Sequence, residues 1–174
     1  MKLVKRYWFF LLMIAISLVL VLMNRDLGSK MTTLTSHTLK EIALILPPVF
    51  ILLGLMDIWV PRDTMIKYMG EGSGIKGVVI ALVLGSFAAG PLYAAFPVAG
   101  MLMSKGAKLT NILIFIGAWS TTKIPMFLFE VAALGSKFAV TRLLVDVPGI
   151  IIMAYILSSM LRTEEIEKLY EQYS

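Results

Sequence analysis

Long apolar segments, separated by short polar stretches, constrain this chain more than any other feature. The segments are 7–23, 41–60, 77–103, 109–131 and 139–161, so they are 17 to 27 residues long. A helix needs about 20 residues to cross the hydrocarbon core of a bilayer, and the third segment is too long for one untilted span. Hydrophobic residues make up 59% of the chain and charged residues 16%, against about 45–50% and about 25% in soluble domains. The sequence therefore predicts an all-α, polytopic integral membrane helical bundle with about five transmembrane helices.

The whole chain, residues 1–174, is predicted to be a single transmembrane domain in the cell membrane, which would be the cytoplasmic membrane in a prokaryote. Segment 7–23 follows basic residues and lacks proline, and no small-x-small cleavage site follows it, so we expect an uncleaved anchor helix and not a signal peptide. Residues 25–40 are a polar connection, and residues 162–174 are a short polar tail. Proline occurs in each apolar segment of the region between, about 41–161.

The stretch from Gly85 to Gly100 cannot form an undisturbed helix, because it contains two prolines and three glycines. We expect breaks at Gly90-Pro91 and at Phe96-Pro97. Irregular backbone at membrane depth requires protein or water around it, and transporters use such broken helices to bind solutes near the midplane. A kinked helix whose small residues permit close packing is the alternative. The pattern favours a broken or re-entrant segment around Gly90–Pro97, and its candidate pathway residues are Gly90, Pro91, Tyr93 and Pro97.

Charged residues lie inside the last two apolar segments, where an ionisable side chain costs roughly 2.5–3.5 kcal/mol unless it is paired or hydrated. If residues 134–137 form the turn of a helical hairpin, Glu130 and Arg142 are at matched depth and can pair. Lys123 and Asp146 are also roughly level, deeper in the membrane. Arg142 and Asp146 are four residues apart, so they share a helix face. These pairs are either a structural clamp or part of a functional site.

Polar side chains accompany Lys123 in the fourth segment. The hydroxyls of Ser120, Thr121 and Thr122 can line a wet cavity beside it, and the further pathway candidates are Trp119, Ser120, Thr121 and Lys123. Ser120 and Lys123 are also the only candidate catalytic dyad, and we predict no catalytic residue and no enzyme. The chain has no cysteine and one histidine, His37, so we expect no metal site and no cofactor. Its basic residues mainly flank the apolar segments, which indicates contact with lipid headgroups and not nucleic-acid binding.

Several of these motifs together resemble a known family. The run Gly90-Pro91-Leu92-Tyr93-Ala94-Ala95-Phe96-Pro97 is followed by Trp119-Ser120, Lys123-Ile124-Pro125, Phe129-Glu130 and Arg142. This series resembles one repeat of the predicted permease family that includes organoarsenical efflux permeases, over about residues 41–160. Full-length members resemble two such units in one chain, so the resemblance implies a half-length, single-repeat permease. Members that handle trivalent arsenicals have cysteines near the broken segment. This chain has no cysteine, so the resemblance does not imply that it transports arsenicals.

Two functions follow as hypotheses. The first is a membrane permease half-unit that transports a small solute as a homodimer, or as a heterodimer with a similar half-unit, with the pathway between units. The second is a non-transporting membrane scaffold or regulatory subunit of a larger complex. Both place the chain in a lipid bilayer, and neither involves nucleic acid.

Overall fold

The structure is a computed structural model that describes residues 2–23, 25–88 and 90–173. These residues form nine α-helices and one short 3-10 turn. They belong to two compact units, Met1–Pro48 and Val49–Ser174, which are described separately. The predicted all-α class is confirmed for the described part of the chain.

The first unit consists of α1 (Lys2–Met23) and the first part of α2 (Arg25–Trp59), a helix that contains Pro47 and Pro48. The predicted polar connection over residues 25–40 is wrong as a separate element, because these residues are the first turns of α2. The hydroxyls of Thr32, Thr33 and Ser36 each donate to the carbonyl four residues back, at 2.7–2.9 Å. Serine and threonine side chains that donate to a carbonyl one turn earlier can therefore lie inside a helix. The role of segment 7–23 as an anchor stays a prediction.

The second unit contains the end of α2 and seven further helices: α3 (Arg62–Met69), α4 (Gly74–Phe87), α5 (Ala95–Ser104), α6 (Leu109–Thr121), α7 (Ile124–Leu134), α8 (Ser136–Met160) and α9 (Thr163–Glu171). Its buried core lies mainly along α5 and α6. The polar residue Asn111 fixes one end of this core, since its Nδ2 donates to the Met69 carbonyl at 2.8 Å and to Ser73 Oγ at 3.0 Å.

Helices α4 and α6 run side by side in the same direction. Gly77 lies against Asn111, and further along both helices Gly85 lies against Phe115 and Ala118. A Cβ atom on Gly85 would lie 2.5 Å from the Phe115 carbonyl oxygen and 2.7 Å from the Ala118 Cβ. Small residues therefore allow the two backbones to approach closely.

Two helical segments of the described residues are long and apolar enough to cross a membrane: Leu109–Leu134, which joins α6 and α7, and Ser136–Met160, which is α8. Helices α3 and α4 are bent by 109° at a short break and add a third span if they are counted as one. Tyr7–Val21 and Leu92–Ser104 are shorter apolar helices. The expected count of about five spans is therefore not confirmed.

The predicted break at Gly90-Pro91 is confirmed. Helix α4 ends at Phe87, Gly90 has a φ of +105°, and a 3-10 turn over Leu92–Ala94 precedes α5. The predicted break at Phe96-Pro97 is wrong. Pro97 is the third residue of α5, and the first turn of a helix has no internal hydrogen bond for proline to remove.

A second break separates α6 from α7, at Thr122 and Lys123, and Pro125 follows it at the second position of α7. Helices α7 and α8 then form the predicted hairpin. Its turn is the single residue Gly135, whose φ of +89° favours glycine. Helix α8 continues through Pro148 and runs antiparallel to α6, since Thr110 at the start of α6 donates to Ser158 near the end of α8 at 2.9 Å.

Candidate functional site

The two helix breaks lie next to each other. Ser86, near the end of α4, shares a hydrogen bond of 2.8 Å with Thr122, just after the end of α6. Because α4 and α6 are parallel, their carboxyl ends reach the same level of the bundle. The last four carbonyls of a helix have no partner within it, so this level collects carbonyl groups that other residues must satisfy. We call it the paired break; it comprises residues 86–91 and 119–123, apart from residue 89.

The Gly90 carbonyl at the first break is satisfied by two side chains from the second. The indole nitrogen of Trp119 donates to it at 3.3 Å, and the Lys123 ammonium donates to it as well. The ammonium also lies 5.9 Å from the centre of the Trp119 ring, within the range of a cation–π contact. The expected pairing of Lys123 with Asp146 is therefore wrong, because the freed carbonyl of Gly90 takes the ammonium instead.

Arg142 of α8 connects three elements. Its guanidinium donates to the Glu130 carboxylate of α7 and to the carbonyl of Thr121, the last residue of α6. Its Nε lies 3.1 Å from Asp146 Oδ2, one turn further along α8. The predicted pairs Glu130–Arg142 and Arg142–Asp146 are thus confirmed as contacts. Glu130 is only 5% exposed, and a carboxylate so buried requires such a partner. Arg142 also places positive charge at the carboxyl end of α6, where the helix dipole favours it.

An open cleft of about 480 Å³ runs between α6 and α8, beside the paired break. Its walls are mostly apolar and include Leu113, Ile150 and Met153. One end is polar and consists of Ser120, Thr121 and Asp146. Both hydroxyls at this end donate to the Gly117 carbonyl, at 2.8 Å from Ser120 Oγ and 3.0 Å from Thr121 Oγ1. The charge group around Arg142 and the cleft therefore share Thr121 and Asp146.

The structure brings most of the predicted site residues into two hydrogen-bonded groups. The first group is Gly90, Trp119 and Lys123; the second is Thr121, Glu130, Arg142 and Asp146. Ser120 lies in the cleft wall, and Pro91 leads into the 3-10 turn. No contact described for Tyr93 or Pro97 joins either residue to the groups. Whether any of these residues handles a solute stays a prediction.

Ser120 and Lys123 do not form a dyad in the described structure, since the hydroxyl donates to Gly117 and the ammonium to Gly90. Sequence reasoning missed Ser86 and Thr122 as the link between the breaks. The available signal was a hydroxyl residue, Ser86, that follows Gly85 and lies shortly before the predicted break at Gly90-Pro91. Within the described residues, no group of three or more His, Asp or Glu side chains could hold a metal ion.

The described residues form apolar helices, and two helical segments are long enough to span a bilayer. Two helix breaks lie next to each other among paired charges. These features define a helical membrane protein with a discontinuous interior. A family model described as a predicted permease matches residues 26–173. The chain belongs to this family, ArsP_1, as the resemblance over residues 41–160 indicated. Comparisons with curated proteins and with solved structures returned no match.

Proposed function

We propose that the chain is a permease half-unit that moves a small solute across a membrane and works as a dimer, with the pathway between the two units. One observation carries this proposal: the open cleft between α6 and α8 ends at the paired break. Its volume of about 480 Å³ lies within the range of small-molecule sites, about 300–1,000 Å³. Two broken helices that end at one level provide the irregular, polar backbone at which transporters bind solutes.

The dimer part of the proposal is supported by the shape of the cleft. Helices α6 and α8 supply two walls, and the remaining side of the cleft is open within a single chain. A second copy, or a similar half-unit, would close this side and turn an open cleft into an enclosed pathway. Family membership supports transport as the role of that pathway.

Cysteine labelling in membranes tests whether water reaches the cleft, and the absence of native cysteine removes any background. We expect Ser120→Cys, at the polar end of the cleft, to react with a charged, membrane-impermeant thiol reagent. Ile152→Cys is the matched control, because Ile152 is 58% exposed on α8 but does not line the cleft. We expect it to face lipid and not react. Equal, negligible labelling of both variants would contradict a wet pathway.

Transport itself is tested with purified protein in sealed liposomes and a panel of radiolabelled cationic, neutral and anionic small solutes. The permease proposal requires protein-dependent movement of at least one of them. Cross-linking or light scattering on the same preparation reports whether the chain is a dimer. Protein that assembles normally but leaves the liposomes sealed to every solute would instead support the scaffold or regulatory subunit.

A further inference from the structure

The polar end of the cleft offers hydrogen-bond acceptors and no free donor. Ser120 and Thr121 each have one hydroxyl proton, and both protons are directed to the Gly117 carbonyl. Each hydroxyl oxygen therefore turns lone pairs towards the cleft. The third polar residue is Asp146, whose ionised carboxylate is also an acceptor. A solute that is held here must supply the donors.

The electrostatics of this end favour a positive charge. Helix α6 ends at Thr121, and the carboxyl end of a helix carries a partial negative charge. Asp146 and Glu130 add two full negative charges, and Arg142, which contacts both carboxylates and the Thr121 carbonyl, offsets only one of them. The residues that line the cleft include no lysine or arginine, so no cation faces the solute from its walls. The nearest cation, Arg142, contacts Asp146 from outside the cleft lining.

Asp146 is able to serve a second cation without leaving Arg142 unpaired. Arg142 also donates to Glu130 and to the Thr121 carbonyl, and those two contacts remain when Asp146 binds a second cation. Asp146 holds Arg142 only through Oδ2, and an ionised carboxylate has about four acceptor sites. The side chain of Asp146 is 26% exposed, so it is accessible from the cleft as well.

Resting on the proposed permease function, we infer that the solute is a lipophilic organic cation that carries N–H donors, such as an amine or an amidine. Its charged head binds Asp146, Ser120 and Thr121, and its apolar body lies along the walls formed by Leu113, Ile150 and Met153. We assign the site to a free small molecule and not to an aminophospholipid, because one cleft of about 480 Å³ has the volume of a small-molecule site.

Binding is measured on the purified full chain in detergent with dansylcadaverine, a fluorescent primary amine with an aromatic body. Its N-acetyl derivative keeps the body and loses the charge. We expect the amine to bind at least about tenfold more tightly than the acetylated probe. Asp146→Asn should weaken amine binding about tenfold to a hundredfold, the range of a hydrogen bond to a charged group, and leave the acetylated probe unchanged. Asp63→Asn removes an equal charge at an exposed position of α3 and should change neither affinity.

A second pair of variants tests the location of the site independently of charge. Gly149 lines the cleft, and a Cβ atom there meets nothing within 4 Å, so Gly149→Leu places a large side chain at the cleft wall from a position that accepts a Cβ atom. Gly54→Leu is the matched control, at a helical glycine with equally open space outside the cleft. We expect Gly149→Leu to abolish amine binding and Gly54→Leu to leave it intact, with both proteins melting at or above the wild-type temperature. Equal affinity for amine and acetylated probe, or unchanged binding in Asp146→Asn and Gly149→Leu, overturns the assignment.

Transport and competition data separate this inference from the proposed function. Amine binding that depends on Asp146, without movement of any solute in liposomes, supports the site and contradicts the permease. Movement of only neutral or anionic solutes, unaffected by Asp146→Asn, supports the permease and overturns the cation site. The probe should bind equally well in liposomes of phosphatidylcholine alone and in liposomes with added phosphatidylethanolamine. Displacement by phosphatidylethanolamine would identify a lipid as the occupant and overturn the assignment to a free solute.

Discussion

Lys123, at the break between α6 and α7, donates a hydrogen bond to the carbonyl oxygen of Gly90, at the break between α4 and α5. The indole of Trp119 donates to the same oxygen. One backbone acceptor thus joins two broken helices, and it does so where each has lost its own hydrogen bonds. The stability of the paired break should depend on these two donors.

Replacing Lys123 with methionine should destabilise the protein by about 1.5–3 kcal/mol, the usual contribution of a hydrogen bond that involves a charged group. Methionine preserves much of the side-chain length and removes the donor. Trp119→Phe should cost less, because the indole is a neutral donor and its hydrogen bond to the Gly90 carbonyl is 3.3 Å long. Reversible denaturation in mixed micelles measures both effects. A Lys123→Met protein as stable as the wild type would show that the carbonyl of Gly90 finds another donor.

Arg142→Gln should destabilise the protein by about 3–5 kcal/mol, because it leaves the buried carboxylate of Glu130 without its partner. Arg142→Lys should recover only part of this loss, since an ammonium lacks the planar fork that reaches Glu130, Asp146 and the Thr121 carbonyl together. The double variant Glu130→Gln/Arg142→Gln should be more stable than Arg142→Gln alone. Additive losses in this double-mutant cycle would contradict a direct pair.

Gly85→Ala should cost about 1–3 kcal/mol through overpacking, because the new Cβ would lie 2.5 Å from a backbone oxygen of α6. Gly149→Ala is the matched control in α8, where a Cβ meets open space. Alanine at that position should raise stability by up to about 1 kcal/mol, from its higher helix propensity. Melting temperatures of the two variants in detergent should therefore move in opposite directions. A similar shift for both variants would contradict the close packing of α4 against α6 at Gly85.

Tyr170 of α9, outside the spanning helices, gives a pH-dependent prediction. Burial, and then the negative charge of Glu71, raise the pKa of its phenol above the ordinary value of 10.0, and the phenol donates to the Ala107 carbonyl at 2.6 Å. Because the folded pKa exceeds the unfolded one, its contribution to stability is complete below pH 10 and is lost as the pH rises through the raised value.

The phenolate absorbance of the wild type minus that of Tyr170→Phe should show one group that titrates above pH 10. Glu71→Gln removes the second cause of the shift, so it should lower the pKa of this group part of the way towards its ordinary value. The unfolding free energy of Tyr170→Phe should fall less steeply at alkaline pH than that of the wild type. A difference titration centred at or below the ordinary value would contradict the burial of this phenol.

The contacts of Arg142 with Glu130 and Asp146 could be predicted from the sequence, whereas its contact with the Thr121 carbonyl and those of Lys123 could not. The position of the α7–α8 turn and the rise of about 1.5 Å per residue fix the depth of Glu130 and Arg142, and the spacing of four residues fixes Asp146. Lys123 instead binds a main-chain oxygen on another broken helix. Side-chain patterns do not reveal which carbonyl a break will free.

Two local errors have related causes. Pro97 was expected to break a helix, but its effect depends on where that helix begins, and α5 begins only two residues earlier. Residues 25–40 were expected to be a connection because they are polar, yet serine and threonine also bond to carbonyls of their own helix. The acceptor-only end of the cleft was likewise not predicted from Ser120 and Thr121, since a hydroxyl donates to a carbonyl of its own helix only in some side-chain rotamers.

The hairpin turn at Gly135 has a consequence for how this chain can change length during evolution. Because one residue separates α7 from α8, the turn cannot absorb an insertion. Each residue added to α8 before Arg142 rotates the rest of the helix by about 100° and advances it by about 1.5 Å. A single inserted residue would carry the guanidinium away from Glu130 and from the end of α6. Three or four inserted residues would restore the direction of the side chain but displace it by about 4.5–6 Å along the helix axis. The length of the chain between Glu130 and Arg142 should therefore be constant among proteins that keep this contact.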